Sequence, residues 1–533
     1  MTPTLWIDVE DLFEYARGHQ RPSGIQRVAF EISRTLHARH GDAGRVRFLR
    51  HDPAHGGFRE VAWPRVAAMF SLLTEPESGL LRDRAVARLP PGGIKPHSGP
   101  RQFARQLVHR LPASLRFHVT NVLLTQENAF RAWMGLWDAL ARGIVRTPHR
   151  LRRRFHARRV MAAPAPVPAA TDGWEADGSR TTAPAADKPA ADRPTADRPT
   201  ADGSMAAGPA ARRAVSLTPG DTLLVLGAPW SHPNYPALIR RQPPGFRFAL
   251  LVHDIVPLRR PEWCDQGTIR LFHAFFDGIL PLCDHIFAVS KATAADVTDY
   301  ARSRGVPVAR PVMPIPIGTG FGVAPPSVPV PRTARLPPAG GYALFVSTIE
   351  ARKNHLLLFR VWRRLLEELA PERVPLLVFA GRRGWLVDDL MRQIVNTDYL
   401  NGHLTILDKP ADDEIAALYQ GCLFTLYPSF HEGWGLPVTE SLAFGKPCLI
   451  ANRTSLPEAG GPLVRGFDPD DLNDAHAKIR AIILDREDLA RWEDQIRREF
   501  RPVPWAASID VLQAALAPEA APVCPEPAVP GGR

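Results

Sequence analysis

The chain has 533 residues, 45% hydrophobic and 23% charged, a globular balance that excludes a collagen-like, fibrous or wholly disordered protein. At about 150 residues per domain, this is more chain than one core holds. Its five cysteines (Cys264, Cys283, Cys422, Cys448 and Cys524) are odd in number and far apart, which argues against a disulfide framework or zinc site, and no run approaches the ~18 apolar residues of a spanning helix. With acids in MTPTLWIDVEDLFEY where a signal peptide needs bases, a soluble, unexported protein in a reducing cytoplasm is expected.

In chain order, LWIDVE (Leu5 to Glu10) reads as a strand and Gly24 to Leu36 as a helix, within a first-lobe segment 1–100. The net charge of +11 is concentrated between Arg101 and Arg159, where 13 arginines face only Glu127 and Asp138. Within 101–160, Phe130, Trp133, Met134, Trp137, Leu140 and Ile144 follow helical spacing. Such a basic amphipathic helix suits an anionic membrane surface, or an aromatic stripe packed on the first lobe with its arginines solvated. Residues 161–213 hold 17 alanines and 8 prolines with the repeat ADKPA-ADRPT-ADRPT and read as a disordered insertion, too poor in large apolar side chains to offset chain entropy.

From 214 to 320 the first lobe resumes with strands at 222–227, 248–254 and 285–290. His253 and Asp254 end the second of these, at the carboxyl edge where open α/β sheets place ligands. Read alone, His253 fits a ring satisfied by local backbone better than a ligand contact. A Pro-rich linker occupies 321–341, and a second strand series (ALFVS, PLLVFAG, LTIL, LFTLYPS, PCLIAN) fills 342–485. Helices are expected over 486–517, the last near Trp505 to Leu516 returning to the first lobe, and a disordered tail over 518–533. Strands alternating with helices predict an α/β protein of two doubly wound lobes.

The chemistry concentrates in YPSFHEGWGLPVTESLAFGKPCLIANRTSLPEAGG, Tyr427 to Gly461. A strand ends in the glycine-punctuated turn His431 to Gly435, and Pro437 marks a helix start. Glu432 is expected in the turn and Glu440 in the first helical turn. Amides at Gly433, Gly435 and Leu436 suit phosphate or hydroxyl oxygens, and a carboxylate can grip a sugar diol. Alternatively, Glu440 only stabilises the helix start and Glu432 is a solvated turn residue.

EGWGLPVTE resembles the E-x7-E signature of the retaining, nucleotide-sugar-dependent glycosyltransferases of family 4, which have the two-lobed GT-B fold. The likeness extends through FVSTIEARKNHLLLFRVW, FAGRRGWLVDDL and DDEIAALYQGC upstream and ESLAFGKPCLIAN and SLPEAGG downstream. It is thinner in SGIQRVAFEI, LVHDIVPLRRPEW, VSKATAADV and IPIG of the first lobe. The resemblance implies a GT-B architecture, two Rossmann-like lobes facing a cleft, with Glu440 on the donor ribose, Glu432 facing the donor sugar, Gly433 to Leu436 along the sugar and diphosphate, and Lys353 on the diphosphate. It also implies that His253 contacts the sugar as a catalytic-site residue and that Gly24 approaches the donor phosphate across the cleft. Where many members carry an arginine, five residues before the lysine, this chain has Thr348, which leaves Arg352 as the candidate second cation.

The family works without a bound metal or other cofactor, transfers with retention, and uses a GDP- or UDP-linked sugar as co-substrate. The implied activity is hexosyl transfer, mannose first, to a glycan or polyprenyl-diphosphate-linked acceptor in cell-surface polysaccharide biosynthesis, at the inner face of the cell membrane. Competing readings are a basic nucleic-acid-binding protein, disfavoured by the lack of an accompanying zinc-knuckle, RRM or helix-turn-helix pattern, and a noncatalytic sugar-nucleotide scaffold.

Overall fold

The computed structural model describes residues 3–19, 21–52, 57–74, 214–232, 234–320 and 335–517. The expectations for 101–160, 161–213 and 518–533, and most of the linker 321–341, lie outside the described residues.

β1 (Leu5–Asp8) stops two residues earlier than the sequence suggested, because Glu10 opens helix α1 (Glu10–Gly18). Glu10 and Asp11 occupy its first turn, where carboxylates complement the helix dipole. Helix α2 (Gly24–His40) runs one turn beyond Leu36, with His37, Arg39 and His40 placed at the favourable end of that dipole. A capping box of Ser23 and Gln26 starts it. Then come β2 (Val46–Asp52), β3 (Gly57–Val61), α3 (Trp63–Thr74), β4 (Ala214–Val215), β5 (Thr222–Val225), α4 (Tyr235–Arg240) and β6 (Arg247–Val252). Helix α5 (Gln266–Ile279), β7 (His285–Ala288), α6 (Lys291–Arg304) and β8 (Met313–Pro314) complete the first sheet.

Among the described residues its strand order is β4-β3-β2-β1-β5-β6-β7-β8, parallel except that β3 runs antiparallel to both neighbours. Apolar runs such as Phe248 to Val252 are buried on both faces, as a sheet covered by helices on each side requires.

The second sheet begins at β9 (Tyr342–Val346), with α7 (His355–Glu368), β10 (Leu376–Ala380), α8 (Asp388–Asn396), β11 (Leu404–Leu407), α9 (Asp412–Gly421) and β12 (Phe424–Tyr427) following. After α10 (Leu436–Ala443), β13 (Cys448–Ala451), α11 (Leu456–Gly460) and β14 (Arg465–Phe467), two helices close the lobe, α12 (Leu472–Leu484) and α13 (Arg486–Glu499). The order is β11-β10-β9-β12-β13-β14, all parallel among the described residues. Trp362, Phe345 and Phe379 pack one face, Leu344, Val378 and Tyr419 the other.

Helix α14 (Trp505–Leu516) leaves the second lobe and packs on the first: Trp505, Ile509 and Leu512 share a core with Val28 and Ile32 of α2. Ser508 Oγ donates to Pro316 O at 2.5 Å, and Arg39 pairs with Asp510 at 2.6 Å. The chain is therefore α/β with two doubly wound, Rossmann-like lobes in the GT-B arrangement. Among the described residues no helix is long and apolar enough to cross a membrane.

Candidate functional site

The carboxyl ends of the two sheets face each other, and the segments leaving them meet. From β9 the chain passes through Thr348 and Glu350 into a short 3-10 turn, Ala351–Lys353; from β12 it enters the turn that precedes α10. Gly435 adopts φ +116°, a left-handed conformation open to glycine at little cost, and so lets the chain reverse into α10. At Gly433 a Cβ would collide with the carbonyl oxygen of His253, so only glycine allows the turn to lie on the first-lobe backbone. Thr293 Oγ1, from α6 of the first lobe, donates to Gly433 O at 3.2 Å. Across the same junction, a Cβ on Gly24 would stand 3.1 Å from Leu436 Cδ1. Gly24, His253, Gly433, Gly435 and Leu436 are thus brought together although they span more than 400 positions.

The charged residues form one buried cluster. Glu432 Oε1 is 2.6 Å from Lys353 Nζ, and its Oε2 is 3.0 Å from Arg352 Nη1. Arg352 also pairs with Glu350 at 2.7 Å and donates to His431 O at 2.5 Å, while Lys353 donates to the Tyr427 hydroxyl at 3.1 Å. Burial alone would raise the Glu432 carboxyl, but the two cations outweigh it and hold it down at about 2. Arg352 therefore points inward, its side chain 16% exposed, and stands with Lys353 as a two-cation set. Thr348, where many of the glycosyltransferases it resembles carry an arginine, rests against the Gly381–Gly384 turn.

Glu440 lies elsewhere on the helix than the sequence suggested. α10 starts at Leu436, so Pro437 is its second residue and Glu440 its fifth, in the second turn. Gly435 in its left-handed conformation is the residue before the helix, so α10 opens one residue ahead of Pro437 and carries Glu440 past its first turn. Tyr419 donates to Glu440 Oε2 at 2.9 Å, and burial raises the Glu440 carboxyl against the pull of Arg27. Arg27 comes from α2 of the first lobe and pairs with Asp412 at 2.7 Å. His253 is buried with Nε2 at 2.7 Å from Leu226 O; burial lowers its pKa, so the ring is neutral with its proton on Nε2 and a lone pair on Nδ1.

Sequence reasoning missed several members. Glu350 stood in the quoted EARK stretch, and an acid two residues before paired cations was a usable signal. Tyr427 ends the strand before the turn. Thr454 accepts from Glu432 N at 3.1 Å, and Ser455 donates to the carbonyls of Glu432 and Trp434 at 3.0 and 2.7 Å, so SLPEAGG secures the turn from behind. His431 reaches Asp296 of the first lobe at 2.9 Å, and Asp296 in turn holds Arg259; nothing local in the sequence announces that bridge. Among the described residues no group of three or more His, Cys, Asp or Glu side chains is placed to hold a metal ion.

Preorganised cations, a neutral imidazole and glycine-lined backbone at a two-lobe junction make a site suited to a phosphorylated, hydroxyl-rich ligand. Residues 333–499 match the family model of glycosyl transferases group 1. The O-antigen chain mannosyltransferase B of Escherichia coli is 37% identical over 145 residues, 27% of this chain and 37% of that protein. The serotype-specific mannosyltransferase WbdA of Escherichia coli is 30% identical over 208 residues, 38% of this chain and 25% of that protein. Among solved structures, sucrose-phosphate synthase from Thermosynechococcus elongatus is 19% identical with a TM-score of 0.41, over 55% of this chain and 72% of that one. The chain thus spans 37% and 25% of these two relatives' length, and the matched family segment is the one that carries Arg352, Lys353, Glu432 and Glu440.

Proposed function

We propose that the chain is a retaining, metal-independent hexosyltransferase of glycosyltransferase family 4 that moves mannose from a nucleoside-diphosphate donor, GDP-mannose first, to a glycan or lipid-linked glycan in O-antigen-like surface polysaccharide synthesis. The observation that carries this reading is the Arg352–Lys353–Glu432 cluster beside the glycine turn of α10. A donor diphosphate competes with Glu432 for the two cations and frees that carboxylate for the hydroxyls of the donor sugar. Glu440, the fifth residue of α10, takes the ribose hydroxyls, and the amides of Gly433 to Leu436 line the path between them. His253 faces the sugar through its Nδ1 lone pair. Charge building on the departing diphosphate is stabilised by fixed cations, and the departing phosphate receives the proton of the incoming hydroxyl on the same face. The names of the Escherichia coli relatives, both mannosyltransferases, support mannose as the sugar.

Thermal unfolding against a panel of sugar nucleotides tests the donor, since a ligand that binds only the folded chain raises the midpoint. GDP-mannose should give the largest rise and Glu440→Ala should abolish it; an unchanged rise in the variant removes the ribose assignment. NMR of the product should show retained anomeric configuration, and inversion refutes the retaining mechanism. The basic segment 101–160 is assigned to an anionic membrane surface that presents the acceptor, and its deletion should end sedimentation with anionic liposomes.

A further inference from the structure

Arg352 and Lys353 stand side by side on the 3-10 turn Ala351–Lys353, outside any strand, so the hydrogen bonds of a sheet ladder do not fix them. What the turn itself supplies has to hold Arg352. Its backbone is tied down from two directions: Phe430 N donates to Arg352 O at 3.0 Å, and Asn354 closes the turn with its side-chain amide on Pro428 O at 3.3 Å and Pro469 O at 3.1 Å. Asn354 does so at φ 59°, a left-handed conformation that asparagine enters more readily than most residues. The guanidinium, at the end of a long side chain, needs an anchor of its own.

That head group is shared among three acceptors. Nη1 reaches His431 O and Glu432 Oε2, while Nη2 reaches Glu350 Oε1 at 2.7 Å. The two carboxylates differ in what surrounds them. Glu432 has a second cation in Lys353 and belongs to the glycine turn, whereas Glu350 is 3% exposed and packed beside the Gly381–Gly384 turn. Gly384 N donates to Ile349 O at 2.8 Å, and a Cβ on Gly384 would stand 3.2 Å from Glu350 Cβ, so Glu350 has little room to move. Burial works against the Arg352 charge; Glu432, then Glu350, then Asp254 of the first lobe outweigh it and raise its pKa.

The difference matters when a diphosphate displaces Glu432. Arg352 then gives up its Glu432 contact on Nη1 and keeps the Glu350 contact on Nη2, so the freed nitrogen points in a direction already set. A planar guanidinium held at one nitrogen loses little further freedom on binding. Without Glu350 the same fork can turn both nitrogens onto Glu432, and a bidentate pair of that kind is one a phosphate has to break.

We propose that Glu350 is a positioning residue for the donor diphosphate: it anchors the Arg352 guanidinium through Nη2 and so keeps Nη1 available to the phosphates once Glu432 lets go. The proposal rests on the transferase reading above and adds a residue that acts on the donor through another side chain. Charge and geometry predict opposite signs here. Deleting the Glu350 charge would by itself draw a diphosphate in more tightly, whereas losing the anchor weakens its binding.

The test measures binding to the full chain, GDP by calorimetry and guanosine by ligand-observed NMR, with UDP and uridine in their place if the unaltered chain binds UDP more tightly. Glu350→Ala should raise the GDP Kd about fivefold and leave the guanosine Kd unchanged. Glu350→Gln drops the charge but keeps an acceptor oxygen at the same reach, and should bind GDP within about twofold of the unaltered chain. Arg352→Gln should raise the GDP Kd about tenfold, and adding Glu350→Ala to it should cost nothing further, because a residue that acts through another is silent once that other is gone. A GDP Kd unchanged or lowered in Glu350→Ala overturns the proposal, as does a Glu350→Gln chain as weak as Glu350→Ala. So does a loss that extends to guanosine or persists in full in the Arg352→Gln background. All of these leave the transferase reading standing; an unaltered chain that binds neither GDP nor UDP overturns that reading instead.

Discussion

At the carboxyl end of the second sheet, buried acids meet buried bases: Glu432 and Glu350 against Lys353 and Arg352. In the first lobe, four carboxylates share a recess with two histidines, and the arginine there is committed to Glu10. The same architecture therefore gathers paired cations at the carboxyl end of one sheet and carboxylates at that of the other. The acid–base behaviour differs in sign as well, because Glu432 is held down by cations while Asp11 is pushed up by burial.

The contrast can be broken most severely at Lys353. Lys353→Ala leaves Glu432 buried with one cation fewer, and should lower kcat/KM by about 10²–10³-fold and stability by about 3 kcal/mol, read by steady-state kinetics and urea unfolding. Gly433→Ala tests the junction itself. Its methyl group meets a backbone carbonyl that no side-chain rotation can clear, so transfer should fall about a hundredfold while circular dichroism stays unchanged.

A pH series separates the two lobes. Glu432 has its folded pKa depressed from 4.5 to about 2, so its stabilisation is complete above 4.5 and is lost as pH falls from 4.5 to 2. Glu432→Gln should flatten that limb, removing on the order of 3 kcal/mol of pH-dependent stability. Asp11 behaves oppositely: its folded pKa is raised from 3.8 to about 6, so stability declines as pH climbs through that window. Asp11→Asn should remove the decline and raise the melting temperature at pH 7.5; a fall instead would show that its charged form is stabilising. The smallest effect belongs to Arg27→Ala, which removes a partly exposed cross-lobe pair with Asp412 and should cost no more than about 1 kcal/mol, less at high salt.

The two lobes also differed in how much could be read before folding. Strands β9 to β13 announced themselves as apolar runs, because a parallel strand covered on both faces needs nothing but apolar side chains. β2 did not, since Arg47 and Arg50 interrupt it, and Arg50 is tolerated only because Glu10 of α1 meets it. β3, β4, β8 and β14 are too short or too polar to stand out. The start of α1 was read as strand for want of any break between Asp8 and Glu10. At the site, Glu432, Gly433, Gly435, Leu436 and Glu440 lie within nine consecutive positions, so their proximity was legible, and Arg352 and Lys353 followed from a second compact stretch. Glu440 lies in the second turn because the helix opens at Leu436, one residue ahead of Pro437, with Gly435 as its cap.

The sequence alone determined the alternating strand–helix plan and the residue types of the donor turn, because apolar periodicity and local spacing act over a few positions. Only the tertiary structure decided that Arg352 turns inward, that Gly433 rests on His253, and that Asp8, Asp11, His51 and His232 share one recess. Those pairings close loops of tens to hundreds of residues, and their energies depend on burial and on opposing charge that no short window contains.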